Sequence, residues 1–200
     1  MQSNKIVNIT FFAHGTTTDN EKELASGWAD AELSELGKKQ CMQLKELIKN
    51  KKFDFVFSSD LKRAVDTARL TFGNVRTIED KRLRECDYGD FTRLHSDKVD
   101  SVILNYINKP FPNGESYRDV ERRIRSLLND LFEKYSGKNV AIIGHRATQL
   151  ALDVLLKSRT WQQAIKEDWR SKQPKEWKPG WAYRLGRVLS PTTRAKSSGP

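Results

Sequence analysis

The sequence predicts an α/β fold, a three-layer sandwich in which helices cover both faces of a mostly parallel central sheet. Segments with strand and helix patterns alternate along the chain, which favours parallel strands joined by helical crossovers. The strand expected at 139–143 is apolar, as a central parallel strand should be. The segment 116–135 instead places its apolar residues at helical spacing. Ligands in such folds bind at the carboxyl ends of the strands.

The first half of the chain contains three expected strands and two expected helices. The strands are placed at 6–13, 53–57 and 75–78. A helix is expected over 33–49, with its apolar residues mostly on one face. A second helix is expected to begin near Asp60, capped by Ser58 or Ser59, and to end at Gly73.

The second half begins with an irregular region at 85–115, where Pro110, Pro112 and Gly114 interrupt regular patterns. A short helix is expected within it near 97–107. Ser116 is expected to cap the helix that runs to Tyr135, and the apolar strand follows. Further helices are expected through 156 and over 161–170, and the Trp- and Pro-containing end is given no element.

Length and composition favour one globular domain, expected at 1–185, with 186–200 as a flexible end. The chain has 200 residues, of which 37% are hydrophobic. Two cysteines are too few for a disulfide framework and suit a reducing compartment. The sequence has neither a signal-peptide pattern nor an apolar run long enough for a bilayer. We therefore expect a cytoplasmic protein with no membrane partner.

The net charge of +10 favours anionic partners such as phosphate esters, nucleotides or nucleic acid. The segment 186–200 contributes three basic residues and no acid to this excess. Basic and acidic residues are interleaved over 118–123, which is typical of a solvated helix face. No nucleic-acid motif is present, so no nucleic-acid partner is expected.

Two of the three histidines directly follow expected strands. His14 precedes Gly15, and His145 follows the strand at 139–143. Arg63 lies in the first turn of a helix, where a guanidinium and helix N–H groups favour phosphate. Glu85 lies in the loop region, where a carboxyl group suits general acid catalysis. Each residue taken alone also fits an ordinary structural or surface role.

Taken together, six segments resemble the histidine phosphatase superfamily, the phosphoglycerate-mutase-like group, over about residues 5–157. They occur in the order His-Gly-x-Thr-x-x-Asn at 14–20, Gly27-Trp28 to Leu33-Ser-Glu-Leu-Gly37, Ser-Asp-Leu-x-Arg-Ala-x-x-Thr-Ala at 59–68, Leu-Arg-Glu-x-x-x-Gly at 83–89, Pro-Asn-Gly-Glu-Ser at 112–116, and an apolar strand into Gly144-His145.

The resemblance implies a phosphoryl-transfer mechanism without a metal ion or other cofactor. His14 is then the nucleophile, with its other ring nitrogen held by a backbone carbonyl. Arg63 and a protonated His145 neutralise the phosphoryl oxygens. Glu85 protonates the leaving oxygen and then activates water. The remaining substrate-binding residues are expected to be Gly15, Thr17, Asn20, Trp28 and Arg146.

One departure from the family pattern concerns the residue before the nucleophile. The family has Arg-His-Gly, whereas this chain has Ala13-His14-Gly15. Loss of a guanidinium that acts only in the transition state costs on the order of 10²–10³ in rate. We hypothesise that Arg146 partly replaces it; the alternative is that Arg146 faces outward from a helix start.

The expected substrate is a small phosphorylated metabolite. Aromatic and basic residues of the C-terminal segment either form a lid over this substrate or pack a helix against the domain, with their lysines in solvent. These residues are Trp161, Lys166, Trp169, Arg170, Lys172, Lys175, Trp177, Lys178 and Trp181.

The function favoured by the sequence is a metal-independent phosphomonoesterase that forms a phosphohistidine. Two alternatives stay open. One is a catalytically impaired relative that binds a phosphorylated ligand or a protein, because of Ala13. The other is phosphoryl transfer of the phosphoglycerate mutase type, which the short middle segment of the chain disfavours.

Overall fold

A computed structural model describes residues 6–172, 177 and 180–186. Its strands are β1 (Val7–Ala13), β2 (Phe55–Ser58), β3 (Thr77–Glu79), β4 (Asn139–Gly144) and β5 (Trp181–Leu185). Its helices are α1 (Thr18–Glu21), α2 (Glu35–Ile48), α3 (Lys62–Phe72), α4 (Ser96–Asp100), α5 (Tyr117–Tyr135), α6 (Arg146–Leu156), α7 (Trp161–Lys166) and α8 (Trp169–Lys172). Short 3₁₀ turns lie at Lys81–Leu83, Gly89–Phe91 and Ile103–Tyr106.

The five strands form one sheet in the order β3-β2-β4-β1-β5. The pairs β3–β2, β2–β4 and β4–β1 are parallel, which confirms the predicted α/β architecture. Strand β5 is antiparallel to β1 and was not predicted. Its alternation of buried and partly exposed side chains is typical of an edge strand, but the segment is only five residues long.

Apolar side chains leave both faces of the sheet and enter two separate cores. On one face, Phe11 and Ile142 pack with residues of α5, α6 and α7. On the other, Phe12 and Ile143 pack with residues of α2 and α3. Alternate residues of β1 and β4 thus supply opposite cores, so the predicted three-layer arrangement is confirmed.

Helix boundaries follow local capping chemistry. Ser116 caps α5 as predicted, and its hydroxyl accepts from the Asp119 N–H while the Asp119 carboxylate binds back to Ser116. The predicted cap of α3 is wrong. The cap position is Leu61, which makes no side-chain cap bond, and the Ser59 hydroxyl instead accepts from the Leu61 N–H.

Two predicted helices are shorter than expected. The segment near 97–107 contains α4 and a separate 3₁₀ turn, and the segment 161–170 is divided between α7 and α8. No helix of the described residues is both long and apolar enough to cross a bilayer. Of the expected flexible end, only Gly186 is described, and 187–200 lie outside the described residues.

Candidate active site

The two strand-end histidines meet because β1 and β4 are neighbours in the sheet. The last residues of these strands, Ala13 and Gly144, are paired in register. The His14 N–H continues the ladder and donates to the Gly144 carbonyl at 3.1 Å. The two imidazole ring centres consequently lie 5.0 Å apart. A single ligand group can therefore contact both rings.

His14 is held in the tautomer that a nucleophile needs. Its Nδ1 lies 2.8 Å from the Gly15 carbonyl oxygen, which can only accept, so Nδ1 carries the proton and donates. The carbonyl contact expected from the resemblance is confirmed. Burial, followed by the charge of Arg63, lowers the pKa of His14 to about 3. Its Nε2 is therefore unprotonated at neutral pH.

His145 is fully buried, and neither ring nitrogen has a hydrogen-bond partner within the described part of the chain. Burial, and next the charge of Arg63, holds the pKa of His145 well below its usual range. The ring is thus neutral at neutral pH in this structure, and the expectation that His145 is protonated beside phosphoryl oxygens stays a prediction. A buried imidazole without a partner has hydrogen-bonding capacity left for a ligand.

Arg63 is directed into the same cavity from the first turn of α3. Its side chain is only 2% exposed. Nη1 donates to the Ala29 carbonyl at 3.0 Å and Nη2 to the Gly27 carbonyl at 2.8 Å. Neutral carbonyls orient the guanidinium without neutralising its charge. The positive charge therefore remains available to an anion beside the histidines.

Glu85 caps the start of α6, directly after His145. Its Oε1 accepts from the backbone N–H groups of Cys86 at 2.8 Å and Ala147 at 2.9 Å. Its Oε2 accepts from the Arg146 N–H at 3.1 Å. Oε1 therefore accepts two hydrogen bonds and Oε2 only one, so Oε2 is the oxygen better placed to exchange a proton with a substrate.

The backbone of Glu85 is fixed by Arg123 and Trp28. The Arg123 guanidinium donates to the carbonyls of Arg82, Arg84 and Glu85 at 2.6–2.8 Å, and Glu115 holds it from the other side. The Trp28 indole N–H also donates to the Glu85 carbonyl at 2.7 Å. The carboxyl group of Glu85 is consequently supported on a rigid loop.

These side chains surround a cavity of about 690 Å³. Six of the residues predicted from the sequence line it, namely His14, Asn20, Arg63, Glu85, His145 and Arg146. Thr16, Gln40 and Tyr88 line it as well and were not predicted. Gln40 lies on α2 with no motif around it, and its Oε1 accepts from the Thr16 N–H at 2.8 Å.

Three predicted substrate-binding residues do not line the cavity. The Gly15 N–H donates to the Thr67 hydroxyl at 3.0 Å. Thr17 is fully buried, and its hydroxyl caps α1 by accepting from the Asn20 N–H. The Trp28 ring is engaged by Glu85 and lies under the Arg84 guanidinium, 4.9 Å from it. Their contacts support the loops that shape the cavity.

Gly15 is required by close packing. A Cβ at this position would lie 2.7 Å from the carbonyl oxygen of Gly37 in α2. A Cβ on Gly37 would in turn lie 2.0 Å from the Thr16 carbonyl oxygen. The two glycines let the loop after β1 lie directly on α2, which brings Thr16 to the cavity.

Arg146 faces the cavity wall rather than the solvent. Its Nε donates to Asp168 at 2.6 Å, and its Nη1 pairs with Asp100. Arg146 was suggested from the sequence as a replacement for the missing motif arginine. It lines the cavity, but the charge of its guanidinium is already paired with these two carboxylates, which is evidence against the replacement.

The C-terminal segment contributes both to the cavity and to the core. Trp169, Arg170 and Trp177 line the cavity, as the lid hypothesis requires. Trp161 is buried in the core and donates to Glu121, and Trp181 lies in β5 with its ring stacked on Trp169. Lys175 and Lys178 lie outside the described residues, as does the side chain of Lys172.

Comparison with known proteins agrees with this geometry. The model of the histidine phosphatase superfamily, branch 1, matches residues 9–179. The chain belongs to the histidine phosphatase superfamily. One similar protein is a 2,3-bisphosphoglycerate-dependent phosphoglycerate mutase of Methylorubrum extorquens, 31% identical over 74% of this chain and 77% of that protein. A phosphoglycerate mutase of Schizosaccharomyces pombe is 31% identical over 78% and 82% of the two chains.

A solved structure of a phosphatase is similar as well. The mycobacterial glucosyl-3-phosphoglycerate phosphatase in complex with VO3 superposes with a TM-score of 0.68. It is 29% identical, and the match covers 78% of this chain and 85% of that one. Proteins similar to this chain thus include both mutases and a phosphatase.

Proposed function

We propose that the protein hydrolyses small phosphomonoesters without a metal ion, through a phosphohistidine at His14. The observation that supports this most directly is the state of His14, whose Nδ1–H is bound to a backbone carbonyl while Nε2 is unprotonated. Next to it lie a buried imidazole with no partner among the described residues and a guanidinium bound only to neutral carbonyls. This is an arrangement for binding and attacking a phosphoryl group.

In the first step, His14 Nε2 forms a bond to phosphorus while the bond to the ester oxygen breaks. The electron pair goes to the leaving oxygen, which takes a proton from Glu85 Oε2. Negative charge on the phosphoryl oxygens is stabilised by Arg63 and by His145, which takes up a proton or donates its ring N–H as the anion arrives.

In the second step, Glu85 is a carboxylate and removes a proton from water. The water oxygen bonds to phosphorus, the bond from phosphorus to His14 Nε2 breaks, and the imidazole recovers its lone pair. Inorganic phosphate is the product. The apolar faces of Trp169 and Trp177 at the cavity wall suit the organic part of the substrate.

The charge of the cavity favours hydrolysis over mutase chemistry. Among the described lining residues, Arg63, Arg146 and Arg170 face four carboxylates, those of Glu21, Glu23, Glu85 and Asp100. A bisphosphorylated glycerate brings two phosphates and a carboxylate, which need a strongly positive site. A lining with this balance suits a substrate with one phosphate group.

The experiment is phosphate release from p-nitrophenyl phosphate by the purified chain in EDTA. The wild type and the His95→Ala control are expected to release phosphate at equal rates, because His95 does not line the cavity. His14→Ala is expected to lose activity. Activity that requires an added metal, or that survives in His14→Ala, contradicts the proposal.

Ala13 favours a second candidate function, in which the protein is an impaired relative that binds a phosphorylated ligand without turnover. Its side chain lines the cavity and offers no charge to the phosphoryl group. Phosphate binding without release from any phosphomonoester would support it. The cytoplasmic location remains a prediction.

A further inference from the structure

Arg170 is the third arginine among the described residues that line the cavity, and no sequence motif identifies it. It lies in α8, far along the chain from the motif residues, and lines the cavity together with His14, Arg63 and His145. We propose that Arg170, together with Arg63, binds the phosphoryl group of the substrate. This inference rests on the proposed function, because it names a further residue of the same site.

The contacts of Arg170 hold it in place while leaving donors available. Nη1 donates to Asp168 at 3.0 Å and to Gln149 at 3.1 Å, and both partners are buried. The guanidinium carbon lies 4.6 Å from the centre of the Trp169 ring, which supports its flat face. Within the described part of the chain, all hydrogen bonds of its guanidinium use Nη1, so Nε and Nη2 keep their N–H groups for a ligand.

The two arginines that share Asp168 differ in how fully their charges are compensated. Burial alone lowers the pKa of both. For Arg146 the carboxylates, chiefly Asp168, reverse this effect, and its pKa is raised overall. For Arg170 burial dominates and the pKa is lowered. Arg170 stays protonated, since arginine does not lose its proton in proteins, but its charge lacks a full counterpart. An incoming anion supplies one.

The charge of Arg170 also reaches both histidines. It contributes to the lowered pKa of His14 and of His145, after the larger effects of burial and Arg63. A phosphoryl group bound at the histidines is therefore within the field of both arginines. Position 13 offers no cation, so Arg63 and Arg170 together bring two positive charges to a phosphoryl group bound in this cavity.

The test is the binding of inorganic phosphate and orthovanadate, followed by calorimetry, and it needs no turnover. Arg170→Met keeps the aliphatic length on Trp169 but removes the charge and the donors. We expect it to bind both anions roughly 10–100-fold more weakly, with a similar loss in kcat/KM. Arg170→Lys keeps the charge but loses the planar guanidinium, so its anion affinity should lie between those of the wild type and Arg170→Met.

Arg159→Met is the matched control. It removes one positive charge from the same end of the chain, but Arg159 pairs with Glu167 and does not line the cavity. It should bind phosphate like the wild type. Phosphate affinity within twofold of wild type in Arg170→Met overturns the inference, as does a wild type that binds no phosphate. Weakened phosphate binding in a protein that hydrolyses no phosphomonoester would uphold Arg170 and reject the proposed function.

Discussion

His14 and His145 occupy equivalent positions, each directly after one of two neighbouring parallel strands, yet their surroundings differ. His14 donates through Nδ1 to the Gly15 carbonyl at 2.8 Å. His145 is completely buried, and its two ring nitrogens have no partner among the described residues. The first imidazole is held in one tautomer, whereas the second is neutral and has both ring nitrogens available to a ligand.

The difference shows that one strand-end position can produce two kinds of functional group. The loop after β1 turns back at Gly15 and presents a carbonyl to its own histidine. The segment after β4 enters α6 at once, and Glu85 rather than His145 takes up the first helical N–H groups. One ring therefore suits covalent catalysis, and the other suits charge stabilisation.

The largest effect that sharpens this comparison is expected from His145→Gln. The amide keeps some hydrogen bonding but cannot take up a proton, so turnover should fall on the order of 10²–10³-fold. Because His14 is intact, the protein should still form a phosphohistidine, only more slowly. Rapid-quench kinetics with a radiolabelled phosphomonoester measures the turnover rate and the rate of phosphohistidine formation. Wild-type rates in this variant would mean that the unpartnered ring has no catalytic role.

A smaller effect is expected from Glu85→Gln, which removes the proton donor. Hydrolysis of an alkyl phosphate should fall roughly 10²-fold, because its leaving oxygen needs a proton. Formation of the phosphohistidine from p-nitrophenyl phosphate should be much less affected, since nitrophenolate leaves without one. Equal losses in this step for both substrates would count against Glu85 as the acid.

Much of this geometry follows from the sequence, and the exceptions have physical causes. Strand ends can be located from apolar runs and turn residues, so His14 and His145 were found together. Long-range contacts carry no local signal, and the pairing of Arg146 with Asp100 and Asp168 was therefore missed. The capping role of Thr17 was also missed, although a hydroxyl directly before a short helix is a local signal for a cap.

The smallest expected effect concerns stability rather than rate. His14 and His145 both have a lowered pKa in the folded state, so the unfolded chain binds more protons as the pH falls below about 6.5. Their stabilising contribution is complete above that pH and decreases toward pH 3. Each should remove about 1 kcal/mol per pH unit from the free energy of unfolding.

Urea unfolding at pH 7 and pH 5 measures this loss. His145→Asn should lose less stability between the two pH values than the wild type does, whatever its stability at pH 7. Leu47→Ala, at an exposed residue that does not titrate, is the control and should lose as much stability as the wild type between the two pH values. An equal loss in His145→Asn and wild type would mean that His145 is not held neutral by the fold.

The central claim is that His14, and not His145, becomes phosphorylated. The most direct measurement is mass spectrometry of the protein quenched at alkaline pH during turnover, where phosphohistidine is preserved. We predict a phosphoryl group on the peptide containing His14, absent in His14→Ala and retained in His145→Gln. A phosphoryl group on His145, or turnover in EDTA without any phosphorylated histidine, would contradict the account.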